Sequence, residues 1–154
     1  MGMVIFYHLT QSSAETTART VLDRALGQGW RIMIRGKDEA ALRRLDERLW
    51  LMPEDSFVPH GLQGGSQDAD QPVLLGMGAI TNGAQALMLI DGAEADEGEV
   101  RSLERVWILF DGGNQEQLAK ARGQWKRITD AGLAAQYWSE ETGRWEKKAE
   151  KGAV

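Results

Sequence analysis

The sequence of 154 residues contains no cysteine, only two histidines and only three prolines. Without cysteine, disulfides, thiolate metal sites and cysteine nucleophiles are excluded, and such a composition is typical of a reducing compartment. His8 and His60 have no partners at the spacing of a metal site. We therefore expect neither a metal centre nor a cofactor.

Long apolar runs are also lacking. No segment approaches the roughly 20 consecutive apolar residues of a membrane span, and the first residues lack the charged and then apolar pattern of a signal peptide. We expect a cytoplasmic protein that does not contact a membrane. The net charge of −5 is unsuited to coating nucleic acid, which favours a basic face, so we expect any contact with DNA to be indirect.

Strand and helix patterns alternate along the chain. Capping residues followed three positions later by Glu or Gln start helices at Ser12 and Asn114, and a third helix follows Asp38. Short apolar runs predict strands at residues 3–9, 31–35, 73–75, 86–90, 106–110 and 134–138. This alternation predicts a single Rossmann-like three-layer α/β domain over residues 3–138, with a mostly parallel sheet covered by helices on both faces.

The remaining stretches are predicted to be irregular. The glycine-rich residues 61–71 have no periodicity and predict a mobile loop. Five carboxylates among residues 91–99 predict a solvated acidic turn, because their spacing matches no calcium loop. The charged residues 139–154 predict a partly disordered tail.

Folds of this class often bind nucleotides, but the expected phosphate-binding loop is absent. Residues 10–13 after the first strand contain no glycine, and no Gly-Lys-Ser/Thr sequence occurs. Gly76 and Gly78 follow a strand without a helix behind them, which is typical of a turn. A small α/β enzyme acting on a nucleotide or a phosphorylated metabolite remains the alternative hypothesis.

The helix after Asp38 continues into an unusually apolar end. Leu49, Trp50, Leu51 and Met52 follow one another although neighbours on a helix diverge by about 100°, and Pro53 then ends the helix. Such a surface favours either a partner that covers it or a loop folded back onto its own sheet.

The last predicted helix carries a basic patch in an acidic protein. Lys120, Arg122, Lys126 and Arg127 have no acidic residue between them, and Trp125 lies among them. An aromatic ring flanked by cations suits an acidic peptide that ends in an aromatic residue. The same pattern is compatible with an amphipathic helix whose Trp is buried, and direct binding of single strands is disfavoured by the net charge.

One long stretch resembles the signature of a known family, the chi subunit of bacterial DNA polymerase III, an accessory protein of the clamp loader. The stretch reads Arg44-Leu45-Asp46-Glu47-x-Leu49-Trp50-x-x-Pro53-x-x-Ser56-Phe57-Val58-Pro59-His60-x-Leu62. The flanks agree at Phe6-Tyr7, Asp38-Glu39 and Ala131-Gly132, so the similarity runs from about Val4 to Trp138.

The resemblance implies a non-catalytic replication adaptor. It implies that the acidic, phenylalanine-terminated tail of single-stranded-DNA-binding protein binds at Arg122, Trp125 and Lys126, where the family commonly has Tyr in place of this Trp. It also implies a second surface, for the psi subunit of the clamp loader or another partner, at Trp50, Pro53 and Phe57.

Overall fold

The computed structural model describes residues 2–51 and 60–151, with only the backbone of Trp50 and Leu51. Its helices are α1 (Ala14–Gly27), α2 (Glu39–Leu51), α3 (Glu97–Ser102) and α4 (Gln115–Asp130). Its strands are β1 (Met3–Leu9), β2 (Ile32–Arg35), β3 (His60–Leu62), β4 (Val73–Gly76), β5 (Ala86–Leu89), β6 (Arg105–Asp111), β7 (Ala134–Ser139) and β8 (Glu146–Lys151).

The strands form one sheet in the order β3-β4-β2-β5-β6-β1-β7-β8. Every neighbouring pair is parallel except β7 with β8, which is antiparallel. β1 lies between β6 and β7, with Phe6 opposite Ile108 on one side and Tyr137 on the other. The prediction of a mostly parallel α/β sheet is confirmed.

Helices cover both faces of the sheet, which gives the three predicted layers. Ile5 and Leu9 of β1 point to the face covered by α1 and α2, where they join a core that includes Leu22 and Leu45. Val4 and Phe6 point to the opposite face, where α3 and α4 contribute Val100, Ala121 and Ile128. This alternation follows from the two-residue period of a strand, and both faces are apolar because both are buried.

Helix starts agree with the capping prediction to within one residue. The side chain of Asn114 accepts a hydrogen bond from the Gln117 amide at 3.0 Å, as predicted for α4. At α1 the cap is Ser13, whose hydroxyl accepts from the Thr16 amide at 3.1 Å, rather than Ser12. Ser12 is one position early because its hydroxyl donates to Glu140 instead, at 2.7 Å.

Two stretches predicted to be irregular contain regular structure. The acidic stretch is irregular up to Asp96, and its last three residues begin the short helix α3, which Asp96 caps by accepting from the Glu99 amide at 2.7 Å. The glycine-rich stretch contains β3 and a 3-10 turn at Asp68–Asp70. Both elements are short and polar, and neither shows the apolar periodicity on which the prediction relied.

The charged residues 139–154, predicted to be a partly disordered tail, contain one strand among the described residues. Residues 146–151 form β8, which pairs with β7 through partners such as Tyr137 with Ala149. All six residues of β8 are exposed, so its sequence carries no apolar alternation. Charged side chains are common on edge strands, where they prevent pairing with other chains. Trp145 anchors the turn before β8 by packing on the ring of Tyr7, with centroids 5.2 Å apart.

The signature stretch lies only partly within the described residues. Trp50 belongs to α2, whereas Pro53 and Phe57 lie outside them. His60, which belongs to the signature stretch, is buried, and its Nε2 lies 3.1 Å from Asp46 Oδ1 and 3.2 Å from the Asp46 carbonyl oxygen. It thereby ties β3 to α2.

Candidate functional site

α4 places Arg122, Trp125 and Lys126 on one flank, because side chains three and four residues apart are neighbours on a helix. The helix is held to the sheet by its buried residues, which include Ala121 and Ile128. Arg122 is exposed and Trp125 is partly buried, while the Lys126 side chain is 79% exposed. The three predicted residues thus form a partly buried ring flanked by two exposed cations.

Trp125 is held by two other rings. Its centroid lies 5.3 Å from that of Phe6 at an interplanar angle of 72°, and 5.9 Å from that of Tyr137 at 87°. Both are edge-to-face geometries, which aromatic pairs favour. The two alternatives for this Trp are therefore both partly realised: one part of the ring packs on the sheet, and the rest remains accessible.

Tyr137 and His8 extend the site, and the sequence analysis missed both roles. The Tyr137 hydroxyl lies 2.9 Å from His8 Nδ1, and the His8 ring lies 5.0 Å from that of Phe110. A methyl group on Gly112 would overlap His8 Nε2, so the loop before α4 closes tightly over this ring. His8 thus orients the Tyr137 phenol, whose ring contacts that of Trp125.

Arg122 acts on Tyr137 electrostatically. Burial raises the pKa of the Tyr137 phenol above its ordinary value, and the positive charge of Arg122 opposes that rise. The phenol is therefore neutral at physiological pH and able to donate its proton. Phe6 and His8 lie two residues apart on β1 and therefore on one face of the sheet, and this spacing is the sequence signal for the cluster. The signal can be recognised only once β7 is known to lie beside β1.

The four cations predicted as one patch divide into separate groups. Lys126 pairs with Asp130 on the same helix at 3.1 Å, and among the described residues Arg122 has no ion pair. Arg127 faces the α3 region, where it lies 3.9 Å from Glu94 in the loop before that helix. Lys120 lies near Lys37, which pairs with Glu116. Only Arg122 and Lys126 therefore flank Trp125.

The crevice at the carboxyl ends of β1, β5 and β6 is where this class of fold usually binds ligands. Here the amides of Thr10, Gln11 and Ser12 donate to Glu140 Oε2 at 3.1, 3.1 and 2.7 Å. The donors that follow the first strand, which would meet a phosphate in a nucleotide-binding relative, are thus already bound by a carboxylate of the same chain. This observation disfavours the nucleotide-enzyme alternative.

Across residues 2–51 and 60–151, no group of three or more His, Cys, Asp or Glu side chains is placed to hold a metal ion. In the same ranges no helix has the length and apolar character required to cross a membrane.

Comparisons with known proteins agree with the signature stretch. A family model described as "DNA polymerase III chi subunit, HolC" matches residues 1–136. The chain is 36% identical over 83 residues to the DNA polymerase III subunit chi of Pseudomonas aeruginosa, covering 51% of this chain and 56% of that relative. It is 47% identical over 45 residues to the DNA polymerase III subunit chi of Escherichia coli K12, covering 29% of this chain and 31% of that relative.

Proposed function

Because the chain belongs to the DNA polymerase III chi subunit family, we propose that it is a non-catalytic adaptor of DNA replication. The family supports an accessory role in replication. The finer proposal is that the protein links the clamp-loader and polymerase assembly to single-stranded-DNA-binding protein by binding that protein's acidic C-terminal tail. In this role it meets DNA only indirectly, in the bacterial cytoplasm.

The observation that carries the proposal is the partly buried Trp125 between two exposed cations on one flank of α4. A terminal Phe of the tail packs against the accessible part of this ring, which Phe6 and Tyr137 hold in place. The tail's carboxylates meet Arg122 and Lys126, and Lys126 exchanges Asp130 for a carboxylate of the tail. That exchange costs little, since both members of the present pair are mostly exposed.

The expected affinity is modest. Burial of one Phe side chain contributes about 1.5–3 kcal/mol, and each exposed ion pair contributes about 0.2–1 kcal/mol. Once the cost of association is subtracted, the tightest binding that we expect has a dissociation constant near one micromolar, which corresponds to a binding free energy of about −8 kcal/mol. Such binding suits a reversible tether, and several tails on one partner would strengthen it by avidity.

The test is fluorescence anisotropy of a labelled acidic peptide ending in Phe, titrated with four forms of the protein. We expect Arg122→Glu and Lys126→Glu each to weaken binding at least tenfold without unfolding the domain. Arg127→Glu is the matched control, since it makes the same charge change on the same helix but faces α3. Equal weakening by Arg127→Glu and Arg122→Glu would mean that only net charge matters and would sink the site assignment.

We assign the second surface, at Trp50, Pro53 and Phe57, to the psi subunit, or to another partner where psi does not exist. The support is the resemblance of this stretch to the family signature and the exposed polar flank of α2, which includes Arg44, Glu47 and Arg48. We expect Trp50→Ala to abolish co-purification with psi while tail-peptide affinity is unchanged. If psi still co-purifies with the Trp50→Ala variant, psi contacts a different surface.

The nucleotide-enzyme alternative has a direct test. A thermal-shift screen with nucleotides and phosphorylated metabolites should leave the melting temperature unchanged, because Glu140 occupies the amides after β1. Concentration-dependent stabilisation by any of these compounds would favour the enzyme hypothesis.

A further inference from the structure

A groove with an aromatic wall lies beside α1, and we call it the aromatic groove. Its volume is about 380 Å³. One wall is a stripe of α1, and the other wall consists of three rings from β1, β7 and the turn before β8, namely Tyr7, Trp138 and Trp145. These rings pack on the face of the sheet that α1 covers, whereas Trp125 packs on the opposite face. The aromatic groove is therefore separate from the tail site.

Contacts within the chain hold the three rings in place. The centroids of Tyr7 and Trp145 lie 5.2 Å apart at an interplanar angle of 76°, an edge-to-face geometry. Trp138 donates its indole N–H to Gln136 Oε1 at 2.9 Å, which fixes the orientation of that ring. All three rings remain partly exposed. The groove thus offers an ordered aromatic wall to a ligand.

The polar groups of the groove are donors that lack acceptors. Thr17 lines the groove and is only 7% exposed, yet within residues 2–51 and 60–151 its hydroxyl has no hydrogen-bond partner. The same holds for the Tyr7 hydroxyl, and Arg24 has no ion pair in these ranges. By contrast, the hydroxyls of Ser12 and Thr20 are already bonded within the chain. A buried hydroxyl without a partner is costly, so a ligand that accepts hydrogen bonds would satisfy the groove.

Tyr7 is a donor at physiological pH. Burial raises the pKa of its phenol above the ordinary value, and the positive charges of Arg24 and Arg105 oppose that rise. The phenol therefore stays protonated. No described residue that lines the groove carries a carboxylate or an amide side chain. A cationic ligand would meet Arg24 with no compensating anion, whereas a ligand rich in carbonyl groups, with one negative charge, fits the lining.

The length of the groove favours an extended peptide. The stripe from Thr16 to Arg24 rises roughly 12 Å along α1, at about 1.5 Å per residue. About four residues of a polyproline II helix span that distance, at about 3.1 Å each. Proline has no backbone N–H, so a proline-rich segment presents carbonyl acceptors and requires few acceptors from the groove. Other extended segments would bring amide donors to a wall of donors.

We propose that the aromatic groove binds a proline-rich segment of a partner protein that carries one acidic residue. The proline rings pack on Trp138 and Trp145, as in other aromatic-lined grooves that recognise polyproline II helices. The hydroxyls of Tyr7 and Thr17 donate to carbonyl groups of the segment, and Arg24 pairs with its carboxylate. The inference does not depend on the proposed function.

The probe is the blocked peptide Pro-Pro-Pro-Glu-Pro-Pro, added to the full-length 15N-labelled protein and followed by the indole N–H signals. We expect the signals of Trp138 and Trp145 to shift and that of Trp125 to stay in place. A peptide with Ala in place of every Pro keeps the charge and should bind at least tenfold more weakly. Equal binding of the two peptides would overturn the proposal. Shifts caused by phenylacetate but not by the proline peptide would assign the groove to a small carboxylate and would also overturn it.

Two matched Arg variants test the ion pair. Arg24 and Arg48 are both exposed, lie in the last turns of α1 and α2, and have no ion pair among the described residues. We expect Arg24→Gln to weaken binding of the proline peptide at least fivefold and Arg48→Gln to change it by less than twofold. Equal effects would mean that only net charge matters.

Two variants of one residue test the buried hydroxyl. Thr17→Val removes the hydroxyl at nearly constant volume and should weaken binding of the proline peptide at least threefold. Thr17→Ser keeps the hydroxyl and should restore most of the affinity, which a purely structural role of Thr17 would not predict. Equal affinities of the two variants would show that this hydroxyl does not contact the ligand.

Failure here is distinguishable from failure of the adaptor proposal. Arg24→Gln should leave the affinity for the acidic Phe-terminated peptide within twofold of the original. That acidic peptide should in turn shift the indole signal of Trp125 rather than those of Trp138 and Trp145.

Discussion

At the scale of single residues, Glu140 makes the most concentrated set of polar contacts among the described residues. Its carboxylate accepts from three successive amides, and from the Ser12 hydroxyl at 2.7 Å, while its backbone carbonyl accepts from the Gln11 side chain at 3.3 Å. The residue is 5% exposed. Charge-assisted hydrogen bonds in such a setting are roughly twice as strong as neutral ones, so Glu140 ties the end of β7 to the loop between β1 and α1.

We predict that Glu140→Gln lowers the free energy of unfolding by about 1–3 kcal/mol, because an amide cannot accept at all the positions that the carboxylate fills. Urea titration at neutral pH checks this. Glu141→Gln is the matched control, since its carboxylate is exposed and lies 3.6 Å from the exposed Lys148. The control should change stability by less than about 0.5 kcal/mol.

The Glu140 carboxylate also makes the free energy of unfolding depend on pH, in a direction that follows from its pKa. Burial would raise the pKa of Glu140, but the hydrogen bonds from Ser12, Gln11 and Thr10 outweigh burial and hold it below the ordinary 4.5. A carboxyl whose folded-state pKa is lowered contributes stability above its unfolded pKa and loses that contribution as pH falls through the folded value. The stability gap between the natural protein and Glu140→Gln should therefore shrink below about pH 4.5. A constant gap from neutral to acidic pH would contradict this account.

At the scale of elements, α4 carries the tail site and contains one position at which a substitution should raise stability. Gly123 lies in the middle of the helix, is exposed, and a Cβ there would meet nothing within 4 Å. Glycine in a helix interior costs about 0.5–1 kcal/mol relative to alanine. We predict that Gly123→Ala raises the free energy of unfolding by that amount, as measured by urea titration, with tail-peptide affinity within twofold. A loss of stability would mean that the helix uses the freedom of this glycine.

The elements that sequence predicted well are the long and periodic ones. β1 was predicted with the bounds that it has, and α4 was predicted with its cap. The misses are α3, β3 and β8, which are short or wholly exposed and form because of a single cap, a buried His60 or pairing with β7. The contacts of His60 and the pairing with β7 are tertiary, and the Asp96 cap belongs to a helix too short to show an apolar period.

The residues of the candidate site also fall into two groups, those that sequence spacing predicted and those that it missed. Arg122, Trp125 and Lys126 share one helix, so their spacing alone predicted that they lie together. Tyr137 and His8 come from two strands 129 positions apart in sequence, and only the sheet order brings them beneath Trp125. Their contribution depends on register, which no local pattern in this chain specifies.

At the scale of the whole molecule, charge is separated rather than merely negative. The net charge is −5, yet one flank of α4 presents Arg122 and Lys126, while Arg127 on the other flank lies 3.9 Å from Glu94. Exposed charges are screened within about 10 Å at 0.1 M salt. We predict that the dissociation constant of the acidic tail peptide rises several-fold between low and high salt, as measured by anisotropy, because about two exposed ion pairs contribute.

Removal of the terminal Phe from the tail peptide separates the hydrophobic contribution to its affinity from the electrostatic one. The shortened peptide should bind more weakly at every salt concentration, since the ring's contribution is hydrophobic and not screened. An affinity that does not respond to salt would show that the cations of α4 play no part in binding.

The central place of β1 has a consequence for how the protein is made. β1 is the first strand of the chain, and its two neighbours are residues 105–111 and 134–139. On the ribosome, the first strand emerges with neither neighbour available, and at about 5–20 residues per second its partners follow roughly 5–20 s later. Apolar β1 therefore stays unpaired in the nascent chain until β6 and β7 have been synthesised, and pairing across so long a sequence separation slows the folding of this sheet.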